Sequence, residues 1–376
     1  MKDDVRSCDV LVVGRGAAGC MTSLRLAEAG ATVILVGRET TATALSTGRI
    51  DLRGTENEVL LSDTLRKLGV GHGLYQAPPG MKEAITNCGT FARQSLSSVH
   101  DWCGPFGGST AVMGLKGHPD LDPVLVCSAL ERSERHLRCH PHRADLGLSC
   151  RIPTGKGVGL GEEAAAAVDR LSGALAELGE DQVVLPPLFA GPNYGQALSA
   201  LEGASGRRVL EPMTPLSTPG GRLQACLEDS ATTAGCSLLK ERELCGLEVE
   251  GSTATIAILR SGLREIVVRP KAVVLATGNL AAGGLAVEGQ NMLDPLGRFA
   301  LERAPGKGPA SLPLTHSLAV GIRNVEGKAV LLDGTVLDNI MVVGSAVPGL
   351  SYPLGRGLGH VIADAWAKAE RVLEAL

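Results

Sequence analysis

The chain has 376 residues, enough to bury a large core as one big or two medium domains. Its 36 basic and 40 acidic residues, with only 2% aromatics, lack the basic, ring-rich surface of a nucleic-acid binder and the positive charge that an anionic membrane attracts. Ten cysteines occur without a C-x-x-C pair, which argues against a self-contained iron–sulfur or zinc module and for no bound metal. The acidic start Met1-Lys2-Asp3-Asp4 gives no expectation of a signal peptide, and no apolar run long enough to span a membrane is expected. A cytoplasmic protein with reduced thiols is the expectation.

In chain order, the first element is the most informative. Val10–Val13 is a short run of buried-strand type that enters Gly14-Arg15-Gly16-Ala17-Ala18-Gly19, and a helical pattern continues to Ala29, closed by Gly30. Strand, G-x-G-x-x-G and helix together make the dinucleotide-binding βα unit. Gly14 permits the tight turn, Gly16 lets a pyrophosphate approach the backbone, and Gly19 lets the helix lie close to the sheet. The N–H groups and positive dipole end of the helix, at Ala17 and Ala18, then face phosphates. A second strand, Thr32–Val36, ends at Gly37-Arg38, where such units usually carry an acid for the adenosine ribose. With Glu39 just beyond, the expected carboxylate is absent or displaced, which counts against NAD and leaves a flavin nucleotide in play, with Arg38 either meeting a phosphate, stacking on adenine or standing in solvent.

A polar loop, Thr40–Ile50, follows. The middle of the chain, roughly 63–245, mixes helical stretches (Glu162–Leu178, Arg222–Ala234) with short strands (Val124–Cys127, Val183–Leu185), separated by the loops Pro186–Gly195 and Glu211–Gly221. His136, Cys139, His140, His142 and Cys150 crowd one segment, but their spacing fits no standard zinc pattern and a turn at Pro141 is expected to split them. Thr154-Gly155-Lys156-Gly157 lacks the order of a phosphate-binding P-loop. Cys226, Cys236 and Cys245 read as buried small hydrophobes. From about Leu247 the pattern turns strand-like (Ala254–Arg260, Ile266–Val268). Lys271–Gly278 then reads as a buried strand ending in Thr277-Gly278, and Thr335–Ser345 as another ending in Gly344-Ser345. The cluster Gly355-Arg356-Gly357-Leu358-Gly359-His360 opens a last helix, Leu358–Leu376. Its N–H donors suit the electron-rich pyrimidine edge of a reduced flavin.

With these segments in place, the chain resembles the B subunit of anaerobic glycerol-3-phosphate dehydrogenase, within the wider fumarate reductase and succinate dehydrogenase flavoprotein class. The resemblance rests on VVGRGAAG, LSTGRIDL at Leu45–Leu52, LPPLF at Leu185–Phe189 and PMTPLSTPGGRLQ at Pro212–Gln224. It continues through AVVLATGNLAAGGLAVE at Ala272–Glu288 and NIMVVGSAVPG at Asn339–Gly349. It implies an oxidoreductase that binds flavin and relays electrons from glycerol 3-phosphate oxidation. The implied partners are a second flavoprotein subunit and an iron–sulfur subunit that reduces quinone. It also implies a cytoplasmic site, or a peripheral one at the inner face of the membrane through a partner. Family descriptions name FMN, whereas the fold class binds FAD; the complete G-x-G-x-x-G favours FAD, and FMN stays open. In related folds a loop wraps along the flavin, so Ser46, Thr47 and Gly48 are expected to contact it. The chain departs from the family in being shorter between Gln290 and Thr335. Ser345 stands where many flavoproteins place an aspartate on the ribityl chain, and Arg356 and His360 interrupt the last glycine cluster.

The expected architecture is α/β: a Rossmann-like, two-dinucleotide-binding-type flavoprotein fold built from 1–62 and 247–376, with an inserted α/β middle domain at 63–246. Cofactor contacts are expected from Gly14, Gly16, Ala17, Ala18, Gly19, Arg38, Ser46, Thr47, Gly48, Thr277, Gly278, Gly344, Ser345, Gly357, Leu358 and Gly359. Arg356 would either stabilise an anionic reduced flavin or point to solvent, and Lys116, His118, His316 and His360 are the available proton donors. Two other readings remain: a stand-alone flavin dehydrogenase or reductase of a small organic acid, and an assembly subunit that has lost its flavin.

Overall fold

The computed structural model describes residues 4–38, 40–77, 80–147, 162–191, 193–215, 218–289, 291–304, 319–350 and 357–376. The chain forms two compact units. One comprises residues 1–42, 54–58 and 227–376, the other 43–53 and 59–226.

The first unit is organised by a parallel sheet. Its core strands lie side by side in the order Val336–Val342, Arg264–Leu275, Asp4–Val13, Val33–Gly37 and Ser237–Lys240. The first strand of the chain and the last therefore flank Arg264–Leu275 within one sheet. Every residue of Val33–Gly37 is buried, as a parallel strand covered on both faces requires. Sequence reading divides Ile266–Val268 from Lys271–Gly278, but they are one strand of twelve residues. Pro270 interrupts neither it nor its register, since Cys8 to Pro270 and Val10 to Ala272 remain paired across the sheet. The antiparallel pair Glu243–Glu250 and Thr253–Ser261 extends one side by pairing with the opening half of Arg264–Leu275.

The helix Ala17–Glu28 packs on the terminal helix Leu358–Ala375. Arg25 bonds both oxygens of Glu370, at 2.6 and 3.0 Å, and its guanidinium stacks over Trp366. The core beneath the sheet is aliphatic, with Leu11, Val13, Val36, Val273, Leu275, Ile340 and Val342 in one cluster.

The second unit carries its own four-stranded parallel sheet, ordered His140–Ala144, Thr110–Leu115, Gln182–Val184 and Arg208–Leu210. Two sequence expectations fail here. Val124–Cys127 is not a strand but part of the helix Pro123–Arg132. Asp122 caps that helix, accepting from Val124 N and Leu125 N, and Pro123 takes the first turn, a start signal that overrides the β-branched run. Pro141 does not turn the chain either: it lies in the edge strand His140–Ala144, where a missing N–H is tolerated. The expected loop at Glu211–Gly221 is shortened because the helix Thr218–Thr233 begins inside it. Pro186–Gly195 is shortened in the same way by the helix Tyr194–Ser205.

Buried ion pairs hold this unit together. Arg222 grips Glu211 with two bonds of 2.5 and 2.9 Å, donates to Phe189 O, and lies 3.8 Å from the Tyr194 ring centre. Arg49 pairs with Asp101, both buried.

Candidate functional site

Three strand ends meet in the first unit. Val13 runs into Gly14, Leu275 into Ala276-Thr277-Gly278, and Val342 into Val343-Gly344-Ser345. Backbone bonds hold them in step: Ala276 N donates to Val13 O at 2.8 Å, Gly14 N to Val36 O at 2.8 Å, and Val343 N to Leu275 O at 3.0 Å. This is the carboxyl edge of a parallel sheet, where open α/β folds bind their ligands.

The glycines there are dictated by contact. Gly14 has φ +110°, and a Cβ on it would lie 2.1 Å from Ala276 O; one on Gly19 would lie 1.7 Å from Gly14 O. The turn, the helix and the neighbouring strand can approach this closely only without side chains. The same holds for Gly344, where a Cβ would come within 2.5 Å of the Ala18 methyl, and for Gly278, whose Cβ would meet Ala282 at 2.4 Å and Ser345 Oγ at 3.4 Å. Gly14, Ala18, Gly19, Thr277, Gly278, Gly344 and Ser345 are thus gathered at one edge.

Both flanking helices start at a glycine with no side-chain cap, one at Gly16 and one at Gly357. The helix after Gly357 carries Leu358, Gly359 and His360 in its first turn. Its Asp364 accepts from Gly344 N at 2.7 Å and is itself held by Lys368 at 2.8 Å, tying the third strand end to the terminal helix.

A flavin dinucleotide suits this edge. The glycine loop leaves backbone uncovered where a pyrophosphate needs close approach, the helix behind it presents its positive end, and the buried Thr277 Oγ1 has no hydrogen-bond partner among the described residues. When bound, such a group supplies the redox chemistry that amino-acid side chains lack.

The remaining expected residues are placed as follows. Arg38 stands at the end of the second strand, paired with Glu243 at 2.7 Å, and its guanidinium reaches the space beside Gly283. Ser46, Thr47 and Gly48 belong to the second unit, on a loop whose hydroxyls serve the loop itself: Ser46 Oγ donates to Thr43 O and accepts from Gly48 N, and Thr47 Oγ1 accepts from Arg49 N. Tyr75 Oη donates to Gly48 O at 2.7 Å. Lys116, also in the second unit, is exposed and bonded to Asp145 at 2.7 Å, which raises its pKa and keeps it charged. Burial lowers the pKa of His118. Arg356, His316, Cys150 and Thr154–Gly157 lie outside the described residues.

His140 and His142 both converge on Glu180 Oε1, at 2.6 and 3.2 Å. Among the described residues no group of three such side chains is arranged to hold a metal ion. Cys226 and Cys236 are buried, and Cys245 is half-buried. Among the described residues no helix is long and apolar enough to cross a membrane.

Sequence reading missed Ala276 and Asp364. Ala276 acts through its carbonyl, which no side-chain pattern reveals. Asp364 looks like any polar residue on an amphipathic helix.

A family model for the FAD binding domain matches residues 9–320. The chain is similar to the B subunit of anaerobic glycerol-3-phosphate dehydrogenase from Yersinia enterocolitica, at 23% identity over 98% of this chain and 98% of that protein. It is similar to the protein of the same name from Vibrio cholerae, at 23% identity over 97% and 96%. One solved structure it resembles is a geranylgeranyl bacteriochlorophyll reductase-like protein from Thermoplasma acidophilum, at 12% identity and a TM-score of 0.40, over 99% of this chain and 79% of that one. The chain belongs to the FAD binding domain family and is a flavin oxidoreductase with FAD as its cofactor.

Proposed function

We propose that this chain is the FAD-carrying B subunit of an anaerobic glycerol-3-phosphate dehydrogenase-like complex. It passes electrons from glycerol 3-phosphate oxidation towards an iron–sulfur partner and quinone. A second flavoprotein subunit performs the substrate oxidation. The observation that carries this reading is end-to-end similarity to proteins of that name, covering 98% of both chains in the first comparison.

In this reading the pyrophosphate of FAD lies against Gly14–Gly19. Thr277 and the backbone of Gly278 and Gly344 line the bound group, and Ser345 serves its ribityl chain. The terminal helix, from Gly357 to His360, faces the flavin ring and offers N–H donors to its pyrimidine edge. The cysteines contain no C-x-x-C motif for a cluster of the chain's own, so electrons leave through another protein or a diffusible acceptor, and in this reading the iron–sulfur partner takes them.

Co-purification from the native source tests the reading. It predicts capture of a second flavoprotein and an iron–sulfur protein, with little glycerol 3-phosphate oxidation by this chain alone when an artificial dye accepts the electrons. Oxidation by the isolated chain at the rate of the full complex would overturn it.

A further inference from the structure

The second strand ends in Gly37 where a ribose-binding acid is usual, and the first unit shows what occupies that place instead. A Cβ on Gly37 would lie 2.9 Å from Arg15 N and 3.0 Å from Arg15 Cγ. The glycine is therefore what admits the Arg15 side chain, which leaves the phosphate loop and folds back over the strand end. Its Nε donates to Arg38 O at 2.5 Å, and its Nη1 pairs with Glu228. Both members of the pair are more than nine-tenths buried. The other oxygen of Glu228 meets Lys240 Nζ at 2.8 Å. Glu228 rises from the helix Thr218–Thr233, and Lys240 ends the strand that pairs with Val33–Gly37. A carboxylate thus does reach the end of the second strand, from a distant part of the sequence and held there by Arg15.

A buried guanidinium in a phosphate loop would by itself attract a further phosphate. Glu228 answers the Arg15 and Lys240 cations with a carboxylate at this strand end, the group type that accepts hydrogen bonds from ribose hydroxyls. We propose that Glu228, positioned by Arg15, replaces the strand-end acid and accepts hydrogen bonds from the ribose hydroxyls in the adenosine half of FAD.

The test compares two flavins on the same flavin-free protein, by quenching of flavin fluorescence. FMN has no adenosine half and serves as the internal control. In Glu228→Gln, FAD should bind about tenfold to a hundredfold more weakly, the worth of a hydrogen bond to a charged acceptor. FMN affinity should not change. If Glu228→Gln does not fold, Arg15→Lys decides on the same comparison, because a lysine cannot bond both Arg38 O and Glu228 as the guanidinium does. Equal losses for FAD and FMN would make the pair a prop of the phosphate loop and overturn the proposal. So would unchanged FAD affinity.

Discussion

Gly14→Ala tests the close approach that defines the strand-end edge. Two costs add. At φ +110° an alanine is strained by about 1–2 kcal/mol. Its Cβ would also sit 2.1 Å from the carbonyl oxygen of Ala276, a backbone atom that no rotamer change can move away. Overpacking of this kind costs about 1–3 kcal/mol, for a total of about 2–5 kcal/mol. Gly30→Ala separates the two terms, because Gly30 also has positive φ (+89°) but, its chain neighbours aside, no atom of the described residues within 4 Å of where its Cβ would stand. It should cost only the backbone strain, about 1–2 kcal/mol. Urea unfolding of the flavin-free proteins gives the stabilities, and titration with FAD gives the affinities. Gly14→Ala should be the less stable variant and should lose FAD binding, while Gly30→Ala keeps it. Equal stabilities with normal FAD binding in both would refute the reasoning.

Three further outcomes follow from the structure. Glu211→Gln breaks the buried grip on Arg222 and should destabilise the second unit by about 3–5 kcal/mol, measured by urea unfolding; a loss under about 1 kcal/mol would contradict the buried pairing. Lys271 and Thr32 hold the Asp9 carboxyl well below the usual carboxylate range, so its contribution is fully present above the unfolded pKa near 4 and is lost as pH falls through the folded value. The stability gap between the native chain and Asp9→Asn should therefore be at full width at pH 7, begin to close below about pH 4 and keep closing as pH falls towards the folded value, and a gap independent of pH would count against it. Burial pushes the Cys8 thiol up to about 12 and that of Cys236 to about 11, so iodoacetamide at pH 8 should label exposed Cys88 and spare both until the protein unfolds, as read by mass spectrometry of peptides.

The flavin-binding half of the fold was legible because its signals are local. A strand, a glycine turn and a helix are contiguous at Val10–Ala29, and the contacts of Gly14 and Gly19 give those glycines the roles their spacing suggests. Gly278 and Gly344 were legible for the same reason, each standing at the end of an apolar run. The middle of the chain was less so. Val124–Cys127 has strand-like composition, but the cap at Asp122 and the proline at Pro123 decide its conformation. The Arg15–Glu228 pair was illegible, since 213 residues separate partners that meet only once the strand Ser237–Lys240 has joined the sheet. Buried charges paired across such distances leave no periodicity and no motif.

The most direct test of the central claim is the visible spectrum of the purified chain, with mass identification and quantification of the flavin released on denaturation. The account predicts a yellow protein releasing about one FAD per chain, and a colourless Gly16→Val variant that still folds, because a side chain there would bar the pyrophosphate from the helix start. A native chain that stays colourless after reconstitution with both FAD and FMN would contradict it.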